Sequence, residues 1–494
     1  MPAGPDLRLS LVNSAPPRPG GEFVLYWMMA ARRTTWNFAL GHAVEWAARL
    51  AKPLVILEDL RSGRRWDSDR LHRFVLDGMA DNARRLEGRP VAYYPYVEPE
   101  AGAAAGLVPA LGALAAVVVT DRFPCGPSPG LVEEAARQVA VRMEQVDSSG
   151  LVPLLAADRE FKTAFSFRAF LQKHLPEHLG EFPQPDPLAA LRLPVPAALP
   201  AAVTKRWPRA TAALLAGRPA ALARLEIDHR VGPSGIAGGS TAAETALQRF
   251  LSERLDRYAA GHNHPDDDAT SGLSPYLHFG HISAHQVFSA LANREGWSPA
   301  DLAASGRGKR EGWWGMGADA EAFLDQVVTW REVGYNLCDR RRDYDGYAAL
   351  PAWARQTLAD HARDRRPYLY TREALEAGRT HDRLWNAAQM QLAREGRLHN
   401  YLRMLWGKKI LEWSRSPQEA LETMIELNNV YALDGRNPNS YTGILWVLGR
   451  YDRPWGPERP VFGKVRYMTS ESAMRKLRLR KYLATYASRG EGEP

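Results

Sequence analysis

The sequence predicts two parts: an N-terminal α/β domain built on a doubly wound, Rossmann-like parallel sheet, and an all-α domain after it. Three observations carry this. Between Phe23 and about Ser148, short apolar runs alternate with amphipathic stretches; from about Leu188 to Gly239 the chain turns rich in Pro, Ala and Gly; after Ser240 helical periodicity takes over. At 494 residues the chain is long for a single core, so two are expected.

Residues 1–21, rich in Pro and Gly, are expected to form a flexible tail, and they lack the cationic-then-apolar pattern of a signal segment. Phe23–Met29, Pro53–Leu57, Val91–Val97, Ala116–Thr120 and Glu144–Val146 read as strands. Thr35–Leu50, Leu71–Leu86, Leu107–Ala115 and Leu131–Val141 read as the helices between them. That alternation implies a parallel sheet covered on both faces and an α/β domain over residues 22–160. No GxGxxG follows the first strand, so the usual dinucleotide fingerprint is missing. Residues 161–239, with Pro194, Pro196, Pro200, Pro208, Pro219 and Pro233, read as an interdomain connection that is helical over Arg209–Leu225. Residues 240–494 then carry helices at Thr241–Tyr258, Ile282–Ala292, Glu321–Asp339, Leu384–Glu395, Leu398–Trp413 and Pro417–Val430. Ten of the 15 tryptophans lie beyond residue 290, which marks this half for aromatic chemistry or aromatic packing.

Lys+Arg exceeds Asp+Glu by 64 to 56, a net charge of +8 that favours a polyanionic partner. The two cysteines, Cys125 and Cys338, cannot hold an iron–sulfur cluster or a four-Cys zinc site, and no metal is expected. No apolar run approaches the roughly 20 residues of a membrane span, so a reducing, cytoplasmic location is expected.

Four segments carry candidate chemistry. In Ser271-Gly272-Leu273-Ser274-Pro275-Tyr276, two serines and a glycine lead into a helix start; this serves equally as a phosphate cradle and as an N-cap followed by proline. In the stretch from His399 to Trp413, Trp406 and Trp413 are seven apart, about 10.5 Å along one helix face, which suits either core packing or an electron relay bridged by a third ring. Asp434-Gly435, followed by Pro438 and Asn439, reads by itself as a turn. The C-terminal cations Arg475, Lys476, Arg478, Arg480 and Lys481 suit a solvated helix face or phosphate contacts.

These motifs together resemble, over nearly the whole chain, the class II cyclobutane pyrimidine dimer photolyases, flavin-dependent enzymes of light-driven DNA repair. The resemblance implies that Ser271, Gly272, Leu273 and Ser274 wrap the pyrophosphate of a U-shaped FAD together with Tyr258. It implies that Arg403 and Asp434, followed by Gly435, pair beside the isoalloxazine, with the Asn428 amide facing its N5. Trp406, Trp385 and Trp413 would be the proximal, middle and distal members of a relay that re-reduces the flavin. Trp330 and Trp446 would grip a flipped-out lesion, with Met404 beneath it, Asn400 facing it and Arg466 near the gap in the duplex. Where the family carries a glutamate against the pyrimidine, this chain has Gln326. Other departures are His262-Asn263-His264-Pro265 before the phosphate loop and Met28-Met29-Ala30-Ala31-Arg32-Arg33 near the N-terminus. The latter bears on a second, antenna chromophore of the deazaflavin type. The implied protein is a monomer acting on UV-damaged DNA, single- or double-stranded. A (6–4) photolyase, whose chemistry wants histidines near the lesion such as His399, and a cryptochrome-like light sensor without repair activity are the rival readings.

Overall fold

The structure is a computed structural model that describes residues 6–189, 191–195 and 197–487. The first five residues of the expected tail, Ala190 and Pro196 of the expected connection, and residues 488–494 lie outside the described residues. The chain forms two compact units that interleave along the sequence: residues 1–158, 174–248 and 273–296 make one, and residues 159–173, 249–272 and 297–494 the other.

The first unit is built on a six-stranded sheet, β1 (Leu9–Leu11), β2 (Phe23–Met28), β3 (Leu54–Leu60), β4 (Val91–Val97), β5 (Ala115–Asp121) and β6 (Met143–Val146), in the order β1-β6-β5-β2-β3-β4. Strands β2 to β6 pair in parallel and β1 lies antiparallel on β6. The crossovers are α1 (Phe38–Leu50), α2 (Asp69–Leu86), α3 (Leu107–Gly112) and α4 (Ser128–Gln138). Every residue of β2, β3 and β5 is buried, as a sheet covered on both faces requires. Residues facing one side, such as Leu25, Trp27, Val55 and Val118, form one apolar core, and Val24, Tyr26, Ile56 and Val117 form another. The sheet expected from the sequence is therefore present, with one addition: the tail contributes an edge strand, too short to have a periodicity of its own.

The Pro/Ala/Gly-rich stretch corrects a second expectation. Most of it folds within the first unit instead of standing apart as a connection. Leu188, Val203, Trp207, Leu222 and Leu225 are buried against the sheet's cores, and the Trp207 indole donates to the Ala103 carbonyl at 3.0 Å. Composition suggested a linker, but these large side chains bury enough apolar surface to tie it down. Its helices are short, Ala201–Arg206, Ala212–Leu215 and Pro219–Leu222, in place of one over Arg209–Leu225.

The second unit is helical. Its long elements are Arg331–Arg340, Arg383–Glu395, Asn400–Trp413, Pro417–Tyr431 and Pro438–Val447. They surround an apolar core that includes Trp385, Trp406, Trp413, Leu427 and Ile444. The helix expected over Glu321–Asp339 is continuous but changes pitch: α-helix to Leu324, a π-helical segment Asp325–Trp330, then α-helix again. Among the described residues no helix is long and apolar enough to cross a membrane.

Candidate active site

The Pro417–Tyr431 helix starts cleanly because the Ser416 hydroxyl caps it, accepting from the Glu419 amide at 3.1 Å. At its other end the chain turns through Ala432 to Gly435. A Cβ on Gly435 would lie 2.8 Å from the Asn428 carbonyl oxygen, so glycine alone lets the turn close against the helix. That turn sets Asp434 opposite Arg403 of the Asn400–Trp413 helix. Arg403 Nη2 donates to both carboxylate oxygens of Asp434, at 2.9 and 3.1 Å, and Nη1 donates to Asn428 Oδ1 at 3.1 Å. Asn428, buried, passes the chain on, its Nδ2 donating to the Ser440 hydroxyl at 2.7 Å. The Arg403 and Asp434 side chains keep 14% and 19% of their exposure, enough burial to sharpen the charge-assisted bonds while leaving an approach for a ligand. Asp434 stands in the turn that its sequence signals, with its carboxylate held by Arg403.

The three tryptophans of the expected relay are all buried, at 1–2% exposure. Trp385, from the neighbouring helix, donates its indole N–H to the Trp406 carbonyl at 3.0 Å, and its ring lies 5.5 Å from that of Trp413 at 68°. It thus stands against both members of the i, i+7 pair. The Trp406 indole donates to Gln389 Oε1 at 2.9 Å. Trp413 in turn meets Tyr370 at 5.4 Å and His381 at 5.2 Å edge-on, and the Tyr370 hydroxyl lies 2.7 Å from His381 Nδ1.

The residues expected to meet a lesion sit in a different environment. Gln326 and Trp330 lie in the π-helical segment, half-buried, while Val327, Val328 and Thr329 between them are buried. A π turn holds an extra residue and re-aims the side chains around it, a feature that recurs at functional sites. Asp325, one position before Gln326, is engaged by Arg168 at 2.8 Å. Met404 and Trp446 are half-buried, and Asn400 and Arg466 exposed. Arg466 lies over both Trp446, at 5.7 Å, and Trp455, at 5.1 Å, and Arg453 caps Trp455 at 4.8 Å.

Tyr258 is buried between Phe250 and Phe323 and stacks on His262 at 4.8 Å. Burial pushes its hydroxyl pKa up, so it stays a neutral donor. Gly272 has φ +69°, a left-handed turn that suits glycine, and nothing lies near its missing Cβ. Ser271 and Gly272 end one segment of the second unit; Leu273, buried, and Ser274, exposed, open the segment of the first unit that begins the short helix Ser274–His278. His399 is mostly buried, its Nδ1 without a hydrogen-bond partner, and desolvation followed by repulsion from His262 and His264 brings its pKa down to about 4.

In the first unit, the Met28–Arg33 segment is satisfied internally. Asp121 accepts from the amides of Met29, Ala30 and Ala31 at 2.8–2.9 Å, and Arg32 pairs with Glu58 at 3.1 Å.

Sequence reasoning missed three residues that hold these groups. Gln389 and Ser440 lie within or beside the quoted motifs, and a polar residue on an apolar helix face was the available signal for Gln389. The third, Lys408, lies in the basic pair Lys408-Lys409, where a lysine reads as solvated; it is fully buried.

An α/β sheet unit, a helical unit with an Arg–Asp–Asn chain beside a ladder of buried tryptophans: the fold is that of the photolyases. A bacterial class III photolyase from Agrobacterium tumefaciens superimposes over 94% of this chain and 86% of its own, with a TM-score of 0.66 at 17% identity. The chain is 33% identical to the deoxyribodipyrimidine photo-lyase of Methanothermobacter thermautotrophicus over 483 residues, 96% of this chain and 97% of that protein. It is 35% identical to the enzyme of that name from Oryza sativa over 98% of this chain and 91% of the other, and 33% to that of Potorous tridactylus over 92% and 79%. No family model matches. The chain belongs to the deoxyribodipyrimidine photo-lyase family and is an enzyme of light-driven DNA repair.

Proposed function

We propose that the protein splits cyclobutane pyrimidine dimers in DNA, using FAD held in the second unit and the dimer flipped out of the duplex. The observation that carries this is the Arg403–Asp434 pair, one guanidinium nitrogen reaching both carboxylate oxygens, extended through Asn428 to Ser440. Its donor set fits a flavin: a fixed guanidinium compensates negative charge on an electron-rich ring, and an amide can meet a ring nitrogen in either protonation state. Bound FAD would supply the photoexcited one-electron donor. Tyr258, Ser271 and Gly272 would hold its phosphate side, and Arg403, Asn428, Asp434 and Gly435 its ring. Trp406, Trp385 and Trp413 would carry replacement electrons inward, with the Trp406 and Trp385 N–H groups bonded to fixed acceptors so that those rings need not reorganise.

Trp330 and Trp446 would stack on the flipped bases, which offsets the few kcal/mol of unstacking. Met404 would pack beneath the bases, Asn400 and Gln326 would hydrogen-bond to them, and Arg466 would meet the DNA near the vacated gap. The helical unit would act as the FAD-binding catalytic domain, and the first unit as the antenna-type domain, with a deazaflavin-type chromophore the candidate occupant. The working partner would be UV-damaged DNA, and the enzyme a cytoplasmic monomer.

His399 favours the cyclobutane reading over the (6–4) one. Burial, with His262 and His264 beside it, brings its pKa down to about 4 and so disfavours the imidazolium that (6–4) chemistry wants. The test is irradiated DNA carrying both lesions, incubated with the flavin-loaded protein in light and in darkness. Light-dependent loss of cyclobutane dimers alone is expected. Loss of (6–4) lesions, or of neither, would overturn the reading.

A further inference from the structure

Lys408 has no exposed surface, and its one hydrogen bond among the described residues is to the Val447 carbonyl, at 2.5 Å. Among the described residues no carboxylate lies within ion-pair distance, so up to two of its three donors are unmatched there. A buried ammonium without a counter-ion costs several kcal/mol of desolvation, which a protein does not retain for packing alone. Its Nζ sits 5.2 Å from the Trp446 ring centroid, the inner end of a ladder that alternates cation and aromatic: Lys408, Trp446, Arg466, Trp455, Arg453. Close by in sequence, Asp452 is held through Oδ1 by the Arg453 amide and the Trp455 indole, while its buried Oδ2 has no partner. The helix carrying Lys408 is pressed against that carrying Trp446: a Cβ on Gly407 would lie 2.7 Å from Val447 Cγ2 and 2.9 Å from Met424 Sδ. Lys408 therefore cannot swing out to water.

We propose that Lys408 is a positioning residue of the lesion pocket, an unpaired cation behind Trp446 that favours negative charge on the pyrimidines stacked there and is satisfied when DNA binds. This rests on the assignment of Trp446 as a lesion-stacking residue. In the free protein burial brings the ammonium down to about 7, with Asp452 acting to raise it and Arg466 to lower it. These are the charged groups that act on it from the packed elements. DNA adds phosphate charge and neutralises Arg466, so binding favours the protonated form; by linkage, binding above neutrality takes up a proton. The charge then also lowers the energy of a dimer that gains an electron.

The experiment is calorimetry of dimer-bearing duplex binding, in buffers of different ionisation enthalpy, with wild type, Lys408→Met and Trp446→Ala, beside the splitting yield per bound dimer. Wild type is expected to take up a fraction of a proton above neutrality and to lose splitting yield per bound dimer only at a pH above the free-protein value of about 7, since binding raises it. Lys408→Met should show neither pH effect, at a yield several-fold lower, while melting at a higher temperature below neutrality because the buried charge is gone. The sign follows from the lowered pKa: the folded state penalises the proton, most at low pH and less as pH rises. If Lys408→Met takes up the same proton, or keeps full yield, while Trp446→Ala weakens binding, the inference fails and the pocket stands. If Trp446→Ala binds dimer-bearing DNA as tightly as wild type, the pocket assignment itself fails.

Discussion

Two groups of tryptophans in the second unit share a residue type and differ in nearly everything around it. Trp385, Trp406 and Trp413 are sealed in the core, with the Trp385 and Trp406 N–H groups bonded to a carbonyl and an amide oxygen. Trp330 and Trp446 are half-buried; Trp330 lies on a π turn, and Trp446 stands between Lys408 and Arg466. A sealed ring can exchange an electron with a neighbour but cannot touch a substrate. A half-exposed ring with cations beside it can stack on a base and sit near phosphate. On the proposed function burial would divide the labour between the two groups.

The largest effect is expected at the Arg403–Asp434 pair, on which neither group of tryptophans can act without a flavin. Arg403→Leu takes the guanidinium away from the half-buried Asp434 carboxylate, a loss of about 3 kcal/mol for such a pair. The variant should purify with little or no flavin; full flavin content in its absorbance spectrum would detach the pair from the cofactor.

Next comes the sealed group. Trp406→Phe, Trp385→Phe and Trp413→Phe should each impair photoreduction of oxidised flavin, followed by steady-state absorbance under illumination. Parental rates in all three would reduce them to core residues.

On the proposed function the half-buried group governs DNA binding. Affinity for dimer-bearing duplex should fall steeply with salt as phosphate contacts are screened, and exceed that for intact duplex. Filter binding indifferent to both salt and damage would break this half of the comparison.

The smallest effect belongs to Gln326. An amide can donate a hydrogen bond to a pyrimidine but cannot transfer a proton. Gln326→Glu should leave affinity unchanged and raise the splitting yield by up to about tenfold, roughly 1.4 kcal/mol. An unchanged or lower yield would show that glutamine is no handicap here.

How much of this could be read in advance depended on length and company. The parallel sheet and the long helices were legible because β2, β3, β5 and the helices at Arg383–Glu395, Asn400–Trp413 and Pro417–Tyr431 have clear periods. Strand β1 was not, because three residues carry no pattern. The π segment was not, because one extra residue per turn leaves the apolar spacing nearly helical. The stretch from Leu188 to Gly239 misled because Pro, Ala and Gly dominate its composition, while a few residues such as Trp207 decide its burial. At the site, the i, i+7 spacing exposed Trp406 and Trp413, but Trp385 became a member only through resemblance, since contact between helices leaves no mark in spacing. Lys408 was invisible for the opposite reason: beside Lys409 it looked like surface charge.

The most direct test of the divided labour uses enzyme whose flavin has been reduced chemically before illumination, which removes the need for the sealed relay. The splitting yield on a single-dimer duplex at sub-saturating DNA is measured for Trp413→Phe and Trp446→Ala. A wild-type yield is expected from Trp413→Phe and at least about a fivefold loss from Trp446→Ala, as follows from about 1–3 kcal/mol of stacking. Equal yields from the two variants, or a loss confined to Trp413→Phe, would contradict it.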